Sequence, residues 1–296
     1  MRSHWVRLGA IALAALFVAA ACGGAGTGGT TAAPSASAAA KPKFELSSFM
    51  YAIQTKGKLR VGTRDDNVPF GLKNPATGKF EGFDVDIARE LAKGIFGANV
   101  SPDDVIEYVS VVSATRIPTL QDNKADIVIA TFTINEDRKK QIDFSDVYFK
   151  TGQKIMVKKD NTSIKEVADL NGKNVCSGKG STSETNIRAK APQANLNLQD
   201  TYPPCLILLQ QGRVDAISTD ETILFGLVKQ DPNTKIVGAY FSEEPYGIGF
   251  AKGKVGFAEW MNAELKKMVD DGRWAKIYKQ WITPVSGDEK KNPEGK

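Results

Sequence analysis

Histidine is almost absent from the 296-residue sequence. The one histidine, His4, lies in a basic and then apolar N-terminal segment that is typical of a secretory signal peptide, so we expect none in the mature chain. This absence excludes histidine as a general acid or base, as a member of a catalytic triad and as a metal ligand. An enzyme of this sequence would have to use Asp, Glu, Lys or Tyr as its acid or base, and we expect a protein that is not an enzyme and that carries no metal and no cofactor.

The sequence also lacks a strong excess of charge and a dense basic block. Its formal net charge is +5, from 39 Lys and Arg against 34 Asp and Glu. Loss of residues 1–21 removes two arginines and no acidic residue, which leaves +3. Proteins that bind nucleic acid present a concentrated basic surface, so nucleic acid is not an expected partner.

Only three cysteines are present. Three alanines precede Cys22, and small residues directly before a cysteine resemble a lipobox, the site at which bacterial lipoproteins are diacylated and cleaved. We expect a lipoprotein signal peptide at residues 1–21 and lipidation of Cys22; an ordinary signal peptide that leaves Cys22 free is the alternative. In an exported protein, Cys176 and Cys205 are expected to form a disulfide, with two free thiols as the alternative.

No apolar run after the signal peptide is long enough to span a bilayer. Lipid chains on Cys22 would therefore hold the protein at the extracytoplasmic face of a bacterial cell membrane. Residues 22–43 would join this anchor to the rest of the chain. They are rich in Gly, Ala, Ser, Thr and Pro and contain no aromatic residue, which indicates a flexible tether.

The remaining sequence alternates between strand and helix patterns. Apolar and β-branched runs predict strands at residues 59–63, 106–112 and 126–129. Helical spacing of apolar residues predicts a helix that Asp84 caps and a second helix at residues 114–123, so the order is that of a doubly wound α/β unit. Further strands are predicted at residues 154–157, 173–176, 214–218, 236–237 and 248–251, before a closing helix pair at residues 257–281.

The densest group of candidate ligand contacts lies in residues 130–149. Thr131 and Thr133 follow a buried strand and would lie at its carboxyl end, where ligands bind in open α/β sheets. Arg138 offers a planar fork that can bind a carboxylate through two parallel hydrogen bonds. These residues predict a cradle for a small anion; a capped helix with a solvated Arg138 is the alternative.

Two further segments place polar groups at the ends of predicted strands. A glycine loop at residues 178–180 leads into Ser181 and Thr182, where a helix is predicted to begin, and free backbone N–H groups there can bind an anion. An ordinary capped helix is the alternative. Asp220 follows the predicted strand at residues 214–218 and would also lie at a carboxyl end.

Together, these segments resemble the extracytoplasmic solute-binding proteins of polar amino-acid ABC importers, family 3. The resemblance covers nearly all of the expected mature domain. The matching segments are Gly62-Thr63 with Pro69-Phe70, residues 82–88, Thr131 to Arg138 with residues 143–145, residues 180–182, residues 214–216 with Asp220, and residues 246–249.

The resemblance implies an α/β fold of the periplasmic-binding type II class, with two lobes that are each a doubly wound sheet with flanking helices. Lobe 1 would comprise residues 44–150 and 249–283, and lobe 2 would comprise residues 151–248. The hinges would lie near residues 149–151 and 246–249. Residues 284–296 would form a disordered tail.

The resemblance further implies a monomer that captures an amino acid between closing lobes and delivers it to an ABC permease in the membrane. Arg138 would hold the α-carboxylate, assisted by the hydroxyls of Thr133 and Thr182. Asp220 would take the α-ammonium together with Thr131. The full set of implied ligand-binding residues is Arg64, Phe70, Thr131, Thr133, Arg138, Ser181, Thr182 and Asp220.

Arg64 determines the expected ligand. Family members that select basic amino acids tend to carry an acidic residue directly after Gly-Thr, whereas this chain has Arg64, which suits a side-chain carboxylate. The chain therefore resembles the glutamate/aspartate-binding branch, with Phe70 lining the pocket beside the ligand. Pairing of Arg64 with Asp65 or Asp66 would instead make it structural. The functional alternatives are a glutamine or asparagine ligand and, on the same fold, an exported dehydratase or cell-wall lyase.

Overall fold

The computed structural model describes residues 41–295, so the expected signal peptide, Cys22 and nearly all of the expected tether lie outside the described residues. The strands are β1 Leu59–Thr63, β2 Asp66–Asn67, β3 Gly71–Lys73, β4 Phe80–Glu81, β5 Ile106–Ser110, β6 Ile127–Val128, β7 Asp143–Phe144, β8 Phe149–Lys158, β9 Asn174–Gly178, β10 Asn195–Gln199, β11 Ala216–Asp220, β12 Thr234–Val237, β13 Glu243–Tyr246 and β14 Gly249–Phe250. The helices are α1 Phe49–Lys56, α2 Phe83–Phe96, α3 Pro102–Val105, α4 Arg116–Gln121, α5 Glu136–Lys139, α6 Thr182–Lys190, α7 Pro203–Gln210, α8 Glu221–Gln230, α9 Phe257–Asp270, α10 Arg273–Trp281 and α11 Thr283–Ser286. Among these helices, none combines the length and apolar character needed to cross a membrane.

The first large sheet has the strand order β5-β1-β6-β14-β7. β1 runs parallel to β5 and β6, as strand–helix–strand connections require, whereas β14 is antiparallel to β6 and β7. Helix α2 buries Phe83, Ile87 and Leu91 in the core of this part of the chain, where residues of α9 and α10 also pack. A small antiparallel sheet, β2-β3-β4, completes this part, which we call lobe 1.

The second large sheet has the order β10-β9-β11-β8-β12, and β13 pairs with β8 outside this path. β9 is parallel to β10 and β11, and β8 is antiparallel to β11, β12 and β13. A disulfide between Cys176 and Cys205, with Cα atoms 5.5 Å apart, ties β9 to α7 within the buried core. The predicted disulfide is therefore confirmed. We call the part of the chain built on this sheet lobe 2.

The chain passes between the two sheets at two adjacent places. β7 belongs to the first sheet and β8 to the second, while β13 is the last strand on the second and β14 returns to the first. Tyr246 of β13 pairs with Phe149 of β8, and their rings stack with centroids 5.7 Å apart. The two passages therefore form one paired ribbon, at the positions where the resemblance places the hinges.

The C-terminal segment differs from the prediction of disorder from residue 284. Helix α11 forms there, with a proline in its first turn, where the missing N–H leaves no hydrogen bond unmade. Thr283 donates to the carbonyl of Asp288 (2.7 Å), and Lys150 forms an ion pair with Glu294 (2.5 Å). The polar composition that predicted disorder is thus compatible with order, because the segment docks on the body of the protein.

Two glycines allow lobe 2 to lie directly against lobe 1. A Cβ atom at Gly226, in α8, would overlap the backbone carbonyl of Val68 in lobe 1. Gly180, just before α6, has a φ of +71°, and a Cβ atom there would lie 2.9 Å from the Cα atom of Ala114. The observed approach of the lobes therefore requires hydrogen in place of a side chain at both positions.

We predict that Gly226→Ala prevents this approach. Alanine is favoured over glycine in a helix by about 1 kcal/mol, so α8 itself should form normally, but the backbone at Val68 would have to move away. Small-angle X-ray scattering should give a larger radius of gyration for the variant than for the wild type. Gly94→Ala is the matched control, because Gly94 also lies in a helix but faces side chains of lobe 1 alone. An unchanged radius for Gly226→Ala would contradict the prediction.

Candidate ligand-binding site

Arg138 is a buried cation of lobe 1. It lies in α5, and the side chain of Asn135 caps this helix by accepting a hydrogen bond from the N–H of Arg138 (2.9 Å). The guanidinium donates to the carbonyl of Thr133 (2.5 Å), and the residue is only 8% exposed, so the alternative of a solvated Arg138 is wrong. Burial lowers the pKa of Arg138 to about 10, while the negative charges of Glu244 and Asp220 act in the opposite direction.

Asp220 is the matching buried anion of lobe 2. It ends β11, a strand whose five residues are all buried, and its carboxylate accepts hydrogen bonds from Tyr246 (2.5 Å) and Ser183 (3.4 Å). Burial and the negative charge of Glu244 together raise the pKa of Asp220 to about 7, against the hydrogen bond from Tyr246 and the positive charge of Arg138, which lower it. Arg138 and Asp220 thus act on each other's ionisation from opposite lobes.

Thr131 is held in a strained backbone conformation by a buried carboxylate. Its φ is +46°, in the left-handed region that non-glycine residues rarely adopt, and its N–H donates to Asp84 (2.9 Å). Asp84 also accepts from the hydroxyl of Tyr148 (2.7 Å), and burial raises its pKa to about 7. The predicted cap role of Asp84 is wrong: Gly82 precedes α2 at the N-cap, and Asp84 lies in the first turn. Its carboxylate fixes the site loop instead.

Thr133 and Thr182 reach towards each other across the lobes and meet the same carboxylate. Their hydroxyls donate to one oxygen of Glu244, at 2.6 and 2.7 Å, and lie 3.5 Å apart. The other oxygen of Glu244 accepts from Asn186 (2.9 Å) and Ser242 (2.6 Å). The sequence analysis missed Glu244, because a glutamate beside another glutamate in a polar stretch carries no signal of burial.

Ser181 has the role of a helix cap. Its hydroxyl accepts from the N–H of Glu184 (3.1 Å) and donates to the carbonyl of Gly178 (2.6 Å). The alternative of a capped helix therefore describes this serine, and it is the next residue, Thr182, that reaches lobe 1.

Arg64 is buried and already paired. Its guanidinium makes two parallel hydrogen bonds to Asp66, at 2.9 and 2.8 Å, and lies 5.7 Å from the ring centre of Tyr202 in lobe 2. This is the structural pairing that the sequence left open. Arg64 nevertheless faces the other lobe, because Tyr202 is the N-cap residue of α7 in lobe 2.

Phe70 is fully buried in an aromatic cluster at the hinge. Its ring contacts those of Phe83, Phe149 and Tyr246 edge-on, with centroid distances of 5.8, 5.1 and 5.8 Å. In this arrangement, Phe70 packs beneath the cleft against both crossing strands.

Arg116 is a third buried guanidinium that the sequence analysis missed. It begins α4 and donates to the carbonyls of Ala130 (3.0 Å) and Thr131 (2.9 Å). Burial lowers its pKa well below the usual value, and the positive charges of Arg138 and Arg64 lower it further. Arg116 therefore lies within electrostatic reach of the two predicted arginines, and it also fixes the carbonyl side of the Thr131 loop.

A groove of about 530 Å³ is lined from both lobes by Thr133, Arg138, Ser181, Thr182, Asn186 and Glu244, among others. Four of the predicted ligand-binding residues do not line it: Arg64, Phe70, Thr131 and Asp220. Within residues 41–295, no cluster of His, Cys, Asp or Glu side chains could hold a metal ion. The arrangement offers guanidinium groups, carboxylates and hydroxyls to a small molecule that carries both charges.

Comparison with known proteins identifies the family. The model of the bacterial extracellular solute-binding proteins, family 3, matches residues 59–284. The ABC transporter glutamine-binding protein GlnH of Bacillus subtilis is 42% identical over 276 residues, which are 93% of this chain and 96% of GlnH. The glutamine-binding protein of Geobacillus stearothermophilus is 50% identical over 201 residues, covering 68% of this chain and 75% of its own. The glutamate-binding protein GluB of Corynebacterium glutamicum is 34% identical over 236 residues, covering 77% and 79%.

Solved structures show the same fold. An ancestral arginine-binding protein bound to glutamine is 43% identical, with a TM-score of 0.70, and the match covers 76% of this chain and 98% of that one. The ancestral amino acid-binding protein AncCDT-1, a precursor of cyclohexadienyl dehydratase, is 36% identical, with a TM-score of 0.73 and coverage of 79% and 100%. The two-lobed architecture is thus the periplasmic-binding type II fold, and the chain belongs to the bacterial extracellular solute-binding proteins of family 3.

Proposed function

We propose that this chain is the substrate-binding protein of an ABC importer and that it captures one amino acid between its lobes. The observation that carries the proposal is the pair of Arg138 and Asp220, which are buried, opposite in charge and contributed by different lobes. A zwitterion supplies a carboxylate for the first and an ammonium for the second, and buried charges need such partners. Closure of the lobes on the ligand would be the signal read by a membrane permease.

The relatives support binding rather than conversion of the ligand. GlnH, the Geobacillus protein and GluB are all named as binding proteins, whereas AncCDT-1 shows that the same fold also leads to an enzyme. We propose that this chain acts as a monomer, since one pair of lobes supplies both of the charges that a zwitterion needs. Recovery of the bound amino acid unchanged after incubation would separate binding from catalysis.

We propose an acidic ligand, glutamate or aspartate. Three guanidinium groups lie close together. Arg64 and Arg138 are near enough to Arg116 for their positive charges to lower its pKa. Among the described residues, Arg64 is the one of these three that has a carboxylate within salt-bridge distance. A ligand side-chain carboxylate would give Arg116 or Arg138 a partner at that distance.

Glutamine is the second candidate, and two observations favour it. Arg64 is balanced by Asp66 in the present arrangement, which reduces its attraction for a second carboxylate. The relatives that are 42% and 50% identical are named as glutamine-binding proteins, whereas the named glutamate-binding relative is 34% identical.

The pairing of Arg64 with Asp66 allows the two ligands to be separated. We predict that Arg64→Ala weakens glutamate binding by tenfold or more relative to glutamine, and that Asp66→Asn, which frees Arg64, shifts the preference towards glutamate. Isothermal titration calorimetry with both amino acids measures the ratio of affinities. If neither substitution changes the ratio, Arg64 is structural and the acidic assignment loses its basis.

Arg138→Ala, by contrast, should weaken the binding of both ligands alike, by about 2–5 kcal/mol.

The raised pKa of Asp220 predicts a pH dependence of binding. An ammonium partner favours the ionised form of the Asp220 carboxylate. In the free protein, burial raises the pKa of Asp220 to about 7. Below that pH, the carboxyl group must therefore release its proton when the ligand binds. We expect affinity to fall by up to about tenfold per pH unit below 7 and to level off above it. Calorimetry from pH 5.5 to 8, in two buffers of different ionisation enthalpy, measures both quantities. Constant affinity without proton release would contradict this prediction.

We also propose that Cys22 carries the lipid anchor that holds the protein at the extracytoplasmic face of the cell membrane. Cells fed labelled palmitate should yield labelled protein in the membrane fraction, and Cys22→Ala should lose both the label and membrane retention. A membrane-bound, labelled Cys22→Ala protein would refute the proposal, and an unlabelled wild type would favour ordinary signal-peptide cleavage.

A further inference from the structure

Glu244 is a buried carboxylate with no role in the binding scheme so far. It lies in β13, which is one of the two strands that cross between the lobes, and it is 2% exposed. Four side chains donate to it: Thr133 from lobe 1, and Thr182, Asn186 and Ser242 on the lobe 2 side. Each oxygen of the carboxylate thus accepts two hydrogen bonds, which compensates for the loss of water.

The geometry fixes the direction of two hydroxyl groups. A carboxylate has no hydrogen to give, so Thr133 and Thr182 must each use their single hydroxyl hydrogen in the bond to Glu244. Each hydroxyl oxygen then has only lone pairs left for a third partner. Such an oxygen can accept a hydrogen bond from an N–H group, but it cannot donate one to a carboxylate.

We propose that Glu244 is a positioning residue that turns the hydroxyls of Thr133 and Thr182 into acceptors for the α-ammonium of the ligand. The proposal rests on the proposed function, and it changes the role that the resemblance implied for these threonines, which was to assist in holding the α-carboxylate. The α-carboxylate is then left to Arg138. Glu244 and Asp220 together surround the ammonium end of the site with two buried carboxylates, one acting directly and one through hydroxyls.

A different role would follow from the same contacts. The Glu244 carboxylate could occupy the place of the ligand carboxylate, so that the ligand must displace it from the two hydroxyls. In that case Glu244 competes with the ligand, and its removal strengthens binding. The two roles therefore predict opposite effects of the same substitution.

The test uses calorimetric titration of the full mature chain with the amino acid that it binds. Glu244→Gln replaces one acceptor oxygen with an N–H group that faces four donors, so at least one threonine hydroxyl should rotate away. We expect the affinity for the amino acid to fall tenfold or more. Thr133→Val should also weaken binding, and adding Glu244→Gln to a Thr133→Val/Thr182→Val variant should cause no further loss, because Glu244 acts through those two hydroxyls. Glu259→Gln, the same change at an exposed residue of α9 that does not line the groove, is the control and should bind like the wild type.

A second comparison leaves Glu244 unchanged, so it remains informative if Glu244→Gln does not fold. Thr133→Val should weaken binding of the amino acid but not of its analogue that lacks the ammonium, such as glutarate for glutamate, as measured by competition. Thr133→Ser keeps the hydroxyl and should restore binding of the amino acid. If valine weakens both compounds equally, the hydroxyl contacts the carboxylate and the proposal is wrong.

Two other results would also overturn the proposal. Unchanged or stronger binding by Glu244→Gln would show that Glu244 is dispensable or competes with the ligand. A further loss when Glu244→Gln is added to the Thr133→Val/Thr182→Val variant would show that Glu244 acts independently of the two hydroxyls. A wild type that binds none of the twenty amino acids in a thermal-shift screen would instead end the proposed function itself, so the two failures are distinguishable.

Discussion

The structure depends on placing charges of both signs in a cleft from which water is largely removed. Arg138 and Asp220 both have pKa values displaced towards the neutral form, about 10 and about 7, and burial is the largest cause of each shift. A buried charge is stable only when other groups compensate for its lost hydration. Here the compensation comes partly from backbone carbonyls and hydroxyls, and it leaves both groups able to gain from a ligand of opposite charge.

The backbone around Thr131 is held from both ends. Asp84 accepts from its N–H, and Arg116 donates to its carbonyl, so the left-handed conformation is fixed by two buried groups of opposite charge. Strain of this kind persists only where the surrounding structure over-determines it, and it is concentrated at functional sites. The loop that carries Thr131 and Thr133 is thus rigid, and the hydroxyl groups on it have fixed positions.

Much of the local structure could be predicted from the sequence. Strand β1 has the predicted bounds at Leu59–Thr63, and the closing helices α9 and α10 break near Gly272 as their apolar spacing indicates. These predictions succeed because they depend on neighbours in the chain, such as a β-branched run or a periodic apolar face. Strand β10, by contrast, reads Asn-Leu-Asn-Leu-Gln and escaped prediction, because its pairing with β9 and not its composition makes it a strand.

The candidate site was predictable only where a residue's own type and position carried the signal. Arg138 lies in the first helix after β6, Asp220 ends β11, and their charges suit the two ends of an amino acid. Glu244 and Asp84 could not be found in this way, because their partners lie 111 and 47 residues away in the sequence. Burial of a carboxylate is a property of the assembled fold, and no local sequence pattern indicates it.

The paired crossing strands limit how the two halves of the molecule can move. β8 and β13 are hydrogen-bonded to each other where both leave the second sheet, from Gly152 opposite Glu243 to Phe149 opposite Tyr246. Aromatic rings pack on this ribbon, and Trp274 donates to the carbonyl of Tyr148 beside it (2.9 Å). Independent bending of the two strands would break their ladder, so they must flex together. Any swing of one half of the molecule against the other must therefore bend both strands at the same place, and a movement that draws the strands apart is opposed by the hydrogen bonds between them.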